Sequence, residues 1–303
     1  MFDGEVDQLR ADGMFVDSIF PPAIDGCPKP FRVRRIIRRH AVFCEENDDD
    51  IRTNLPFGCR GDLVTFARNF HAIDRFVGDC KAANLWSKLI EVGPFAGSNL
   101  NAAMVKLAYQ PAAGAVLTNS NFVSNDFVET GASGGLTSDG TKFLNTNVPG
   151  STLPDTGHLG FYLSDDVVVT GNRAFLGVIS GSDHYWMGAL NPTAACDARY
   201  GGSITASSSD TMTKGFYVMS READTSLTLY RNATSIATAA TSAPTTKSAL
   251  PVYVWALYSS GASCRLPARG AFYSIGQALN ATEVTALNAA VRNLQLALNR
   301  AVN

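Results

Sequence analysis

Gly215-Phe216-Tyr217-Val218-Met219-Ser220-Arg221 is followed closely by Leu227-Thr228-Leu229-Tyr230-Arg231-Asn232-Ala233-Thr234-Ser235-Ile236-Ala237. In the first run Phe216, Val218 and Ser220 alternate against Tyr217, Met219 and Arg221. That is the period of two expected of a strand with two different faces. The second run reads as a hairpin turning around Asn232. Both lie in a stretch of β texture from Ala115 to Tyr273. Its other candidate strands are His158–Leu163, Ala174–Ser180 and Val252–Tyr258, with Gly- and Ser-rich turns between them. Many short strands separated by such turns predict a sandwich or a barrel.

Helical periodicity flanks this stretch on both sides. Towards the C-terminus, Asn280 and Glu283 have capping-box spacing, with Asn in the Ser/Thr role. Val284, Leu287, Val291, Leu294 and Leu298 then step three, four, three and four. This stripe needs a partner, and the outer or edge surface of the sandwich is the nearest. Towards the N-terminus, Phe66, Phe70, Ile73 and Val77 share one helical face. Gly78 is expected to interrupt that helix, Leu85, Trp86 and Leu89 to continue its apolar surface, and a short helix to follow over Asn101–Leu107.

Before Phe66 the composition changes. Acidic residues dominate Asp3 to Asp25, Arg32 to His40 is basic, and Glu45 to Asp50 is acidic again. Pro21, Pro22, Pro28 and Pro30 forbid a long helix between Ile19 and Phe31. The expected division is an irregular N-terminal region over residues 1–67 and a sandwich over residues 68–303.

The chain has 303 residues, 46% of them hydrophobic, enough to bury a proper core. Its net charge of −2 gives no overall field to hold nucleic acid or an anionic membrane. No stretch is long and apolar enough to span a bilayer, and no apolar run follows the acidic start, so synthesis in a cytoplasm is expected. None of the six cysteines forms a Cys-x-x-Cys pair, so no structural zinc spacing is present. Two readings stay open for them: free half-buried thiols, or disulfides formed after release from a cell.

Four segments in order resemble concanavalin-A-like (laminin-G-like) lectin/glucanase-fold domains of phage and prophage virion structural proteins. Ala271-Phe272-Tyr273-Ser274-Ile275-Gly276-Gln277-Ala278-Leu279-Asn280-Ala281-Thr282-Glu283-Val284 resembles a last strand running into a closing helix. Leu85-Trp86-Ser87-Lys88-Leu89 resembles an opening helix, and Asn101 to Leu107 the step after it. Gly135 to Thr146 resembles a strand pair written Gly-x-x-x-Asp-Gly…Leu-x-Thr. The resemblance covers Phe70 to the C-terminus. It implies an antiparallel jelly-roll sandwich, mainly β, with a C-terminal amphipathic helix. It also implies a non-enzymatic virion component: a tail fibre, a receptor-binding protein or a capsid-decorating protein. Other virion subunits would be met through the N-terminal region, a host surface glycan through the sandwich, and the protein would be a homo-oligomer.

The alternative is a glycan-degrading depolymerase on the same fold. Glycoside hydrolysis needs two facing carboxylates, which glucanase relatives carry as Glu-x-Asp-x-x-Glu on one strand. That run is missing here; Asp165-Asp166, Asp183 and Glu222 with Asp224 are isolated. His40, His71, His158 and His184 adjoin no nucleophile elbow. Asp183-His184-Tyr185-Trp186 follows a turn and is the candidate ligand site, its rings stacking on sugar while polar neighbours hydrogen-bond the rim. The opposing reading places Trp186 in the core. No cofactor is expected; calcium has candidate oxygen ligands at Asp48-Asp49-Asp50 and Asp165-Asp166, without a complete loop spacing. Arg34, Arg35, Arg38 and Arg39 are expected to meet acidic partner subunits rather than nucleic acid, because acidic neighbours nearly cancel them.

Overall fold

The computed structural model describes residues 57–168, 171–180, 183–189, 195–201, 205–240 and 247–300. Arg34, Arg35, Arg38 and Arg39 lie outside them. Two antiparallel sheets form a β-sandwich. The first sheet runs β13 (Thr234–Ala239), β12 (Ser226–Arg231), β11 (Gly215–Ala223), β6 (Gly157–Leu163), β17 (Arg269–Gln277), β4 (Gly135–Thr137) and β3 (Phe127–Val128), with β1 (Leu89–Gly93) also on β17. The second runs β10 (Ala206–Thr211), β9 (Ala195–Tyr200), β8 (Asp183–Ala189), β7 (Arg173–Ser180), β14 (Pro251–Val254), β5 (Phe143–Pro149) and β2 (Thr118–Ser120). The short strands β15 (Leu257–Tyr258) and β16 (Ala262–Ser263) attach to it beside β7.

The alternation in β11 sorts its side chains into two cores. Tyr217 and Met219 face the second sheet, where they join Phe161, Phe175, Trp255 and Tyr273. Phe216 and Val218 face the other way, into a core shared with α1 (Phe57–Ala82) and α3 (Ala281–Ala297). Phe76 of α1 packs edge-on against Phe272 of β17, with ring centroids 5.5 Å apart. The molecule is therefore layered: helices, first sheet, second sheet.

The C-terminal helix follows its sequence pattern closely. Val284, Leu287, Val291, Leu294 and Leu298 are all buried in the helix-side core. The Asn280 side chain accepts from the Glu283 amide at 3.0 Å, and the Glu283 carboxylate accepts from the Asn280 amide at 3.0 Å. The hairpin around Asn232 also forms, with Asn232 and Ala233 both left-handed, as a two-residue turn of matching twist requires.

Other expectations are corrected. Gly78 does not interrupt α1, which runs on to Ala82; a Cβ there would meet nothing within 4 Å. An exposed helical glycine costs only about 1 kcal/mol, which packing outweighs. The helix ends instead near Asn84, at φ 56°. Trp86–Lys88 is a single 3-10 turn that leads into β1, and the helix expected over Asn101–Leu107 is α2 (Leu100–Ala103), capped by Asn99. The strand expected over Val252–Tyr258 breaks at Trp255, whose φ of 63° turns its indole into the core, where Nε1 donates to the Ala268 carbonyl at 2.9 Å. Gly135 to Thr146 is not a pair within one sheet: β4 joins the first and β5 the second, so the turn between them is a corner.

Truncating the stripe tests this layering. Leu287→Ala is expected to cost about 2–5 kcal/mol, as for other buried leucines. Urea unfolding of the two proteins measures the difference, and a loss within error of zero contradicts the packing.

Candidate functional site

Asp183-His184-Tyr185-Trp186 is not a stacking loop. Its residues open and run along β8, paired with β7. Tyr185 is 0% exposed and Trp186 1%, so neither ring has a face to offer a ligand. Tyr185 packs between the sheets, and Trp186 lies under Leu257 of β15 and against Ala174. His184 is partly buried, with Nδ1 3.4 Å from Arg199.

A partly exposed set of aromatic rings lies elsewhere on the second sheet. On β14, Val252 and Val254 point inward, so Tyr253 points outward; on β5, Leu144 points inward and Phe143 outward. Phe143 and Tyr253 stack with centroids 4.7 Å apart, and Tyr258 meets Tyr253 edge-on at 4.7 Å. Asn145 and Asn147 alternate outward beside them on β5. The Arg265 guanidinium lies 5.7 Å from the Phe143 ring centre and leads into a cleft of about 340 Å³. Asp139, Gly140 and Thr141 of the corner, Arg173 of β7 and residues 262–265 with Pro267 line this cleft. The two arms are tied by the Ala174 amide, which donates to the Cys264 carbonyl at 2.7 Å. Gly140 has φ 89°, the left-handed conformation that lets the corner turn here. The Asp139 carboxylate accepts from the Thr141 amide at 2.8 Å and hydroxyl at 2.6 Å, which hold its pKa down to about 2.

The strongly perturbed groups inside the molecule are walled off. Burial pushes the Glu91 carboxyl up to about 7, against the pull of Lys106 and of the Tyr273 hydroxyl, which donates to it at 2.6 Å. The Glu91 and Lys106 side chains are both 0% exposed and lie 3.2 Å apart. His158 is fully enclosed, with Nδ1 2.7 Å from the Gln277 carbonyl and Nε2 3.2 Å from the Ser274 hydroxyl, and burial lowers its pKa to about 4. None of these meets solvent where a substrate would arrive. Three of the isolated carboxylates have structural partners: Asp165 pairs with Arg269, Asp166 accepts from the Lys214 amide at 2.8 Å, and Asp224 pairs with Arg221. Among the described residues no three His, Cys, Asp or Glu side chains gather as a metal site. Asp48-Asp49-Asp50 lies outside those residues. Among the described residues Cys80, Cys196 and Cys264 form no disulfide.

The rings expected to stack on sugar, Tyr185 and Trp186, are buried, and the partly exposed rings lie on β5, β14 and β15. The usable signal was the alternation itself: Phe143, Asn145 and Asn147 share one face of β5, and Tyr253 shares that face of the sheet from β14.

No family model matches the chain, and no curated protein matches it either. Among solved structures it is similar to a Trypanosoma rangeli sialidase in complex with 2,3-difluorosialic acid: 12% identity, 67% of this chain, 32% of that chain, TM-score 0.43. It is also similar to domain 4 of AbnA, a GH43 extracellular arabinanase from Geobacillus stearothermophilus, in complex with arabinotriose: 11% identity, 58% of this chain, 82% of that chain, TM-score 0.37. A third is the botulinum neurotoxin serotype D binding domain: 8% identity, 49% of this chain, 40% of that chain, TM-score 0.35. The chain spans about a third of the sialidase's length. Likenesses of this size do not carry a function from one chain to another.

The enclosed histidine gives a pH test. The unfolded imidazole binds a proton below its ordinary pKa of 6.5, whereas the folded one resists until about 4. Stability contributed by His158 is therefore present above 6.5 and lost as pH falls from 6.5 through about 4. Glu91, with its raised pKa, gives the opposite slope between 4.5 and about 7, but it is common to wild type and variant. Urea midpoints across this range should fall more steeply with acid in the wild type than in His158→Gln; parallel curves contradict the assignment.

Proposed function

We propose that this chain is a non-enzymatic, lectin-like component of a tailed phage or phage-like particle, binding a host surface glycan on the outer face of its second sheet. One observation carries the binding half of this reading: Phe143, Tyr253 and Tyr258 form a partly exposed aromatic strip beside Asn145 and Asn147. Sugar C–H faces pack on aromatic rings while amides meet the ring hydroxyls. The helices cover the opposite side of the sandwich, and no helix among the described residues lies over this sheet face. The virion half rests on the order of the four segments that resemble phage domains. In this reading the protein is made in a host cytoplasm and assembled into the particle as a homo-oligomer. Residues 1–67 attach it to other virion subunits, with Arg34, Arg35, Arg38 and Arg39 against acidic groups. It contacts no nucleic acid and inserts in no membrane.

Binding of the full-length protein to an array of neutral and acidic bacterial surface polysaccharides tests the reading. Tyr253→Ala should weaken binding about tenfold, equivalent to about 1.4 kcal/mol, with unchanged thermal unfolding. The bound polysaccharide should keep its chain length on prolonged incubation. Shortening of the chains supports the depolymerase alternative; undiminished binding by Tyr253→Ala removes the strip as the site.

A further inference from the structure

We infer that the cleft at the end of the aromatic strip is an anion subsite, in which Arg173 and Arg265 hold a carboxylate or sulfate carried by the bound glycan. The inference rests on the strip being the glycan surface and adds what kind of glycan it takes. Both arginines line the cleft, and Ala174 and Arg265 are bridge partners, so the two residues are neighbours at one opening. Neither makes an ion pair among the described residues. Arg173 donates through Nη1 to the Asn172 carbonyl at 2.9 Å, and Arg265 lies over Phe143. The Nε atoms of both are shut from solvent without an acceptor. Each guanidinium therefore lacks an anionic partner among the described residues.

The carboxylate of the cleft does not fill that role. Asp139 is taken up by Thr141, and Lys142 lies 3.3 Å from it and 2.6 Å from Asp126. Around the corner, Arg173, Arg265 and Lys142 therefore stand against Asp126 and Asp139, an excess of one positive charge. Neighbouring like charges repel, and an anion between them removes that cost. A guanidinium offers a planar fork that matches carboxylate and sulfate oxygens in pairs. The Thr141 and Ser263 hydroxyls on the cleft wall donate to Asp139 and to the Leu257 carbonyl, which leaves their oxygens to accept from sugar hydroxyls. A volume of about 340 Å³ is that of a small ligand site, sufficient for one acidic sugar ring. The next rings of the chain then lie over Phe143 and Tyr253.

The test compares matched pairs of oligosaccharides on the full-length protein by calorimetry. Trigalacturonate is set against its methyl ester, and a chondroitin sulfate tetrasaccharide against its desulfated form. The member of greater negative charge in at least one pair should bind about tenfold tighter at low salt, with the advantage shrinking as salt rises. Which pair responds separates a carboxylate from a sulfate ligand. Arg173→Gln with Arg265→Gln should abolish the advantage, whereas Tyr253→Ala should weaken both members of the pair. The wild-type comparison stands even if the double variant fails to fold. Equal binding within both pairs overturns the anion subsite and leaves the glycan-binding strip intact. Binding of none of the four overturns the subsite too, while the strip is then decided by the neutral polysaccharides of its own test.

Discussion

Phe216 and Tyr217 are neighbours on one strand and belong to different hydrophobic cores. This double burial of the first sheet is the constraint on which the rest depends. β17 obeys it too, with Phe272 towards the helices and Tyr273 and Ile275 towards the second sheet. A sheet apolar on both faces must be covered on both, as in layered folds generally. The second sheet covers one side; α1 and α3 cover the other. Among the described residues the second sheet has no helical layer on its far side, and that is where the partly exposed rings and the arginine cleft are found.

Polar groups inside this layering fix its register. Lys106 donates both to Glu91 and to the Thr146 carbonyl, and Tyr273 donates to Glu91, so β1, β17 and β5 are tied across the two sheets. Breaking such a pair by removing one partner leaves a buried charge, which is far costlier than the pair is stabilising. Arg300 closes the C-terminus in a similar way: Nε donates to the Glu129 carbonyl, Nη1 to the Gln295 side chain and Nη2 to the Phe95 carbonyl, at 2.8, 3.3 and 2.6 Å. Trp255, in its left-handed conformation, meets Phe95, Phe122 and Phe161 between the sheets, and the chain it redirects becomes β15 and β16. That turn carries residues 262–265 to one wall of the cleft.

The legible parts of the sequence were those decided locally. The stripe and capping box of α3, the alternation of β11 and the Asn232 turn each depend on residues close in the chain, and all formed as read. Gly78 and the Val252–Tyr258 run were misread because tertiary packing overrode the local signal: α1 is held by the helix-side core, and Trp255 is drawn into the inter-sheet core. Asp183 to Trp186 looked like a loop because a Gly-Ser pair precedes it, whereas its pairing with β7 makes it strand. The cleft was not legible at all. Residues 139–141, 173 and 262–267 meet only once β4 crosses to the other sheet as β5 and β16 folds back beside β7, and no spacing in the sequence announces that.

The central claim is that ligand meets the outer face of the second sheet while the helical side serves only the core. Hydroxyl-radical footprinting of the full-length protein, with and without an oligosaccharide that binds it, measures this directly. The account predicts reduced oxidation of Phe143, Tyr253 and Tyr258 on binding, with the exposed Leu296 of α3 unchanged. Protection of Leu296, with the three rings oxidised equally in both states, would contradict it.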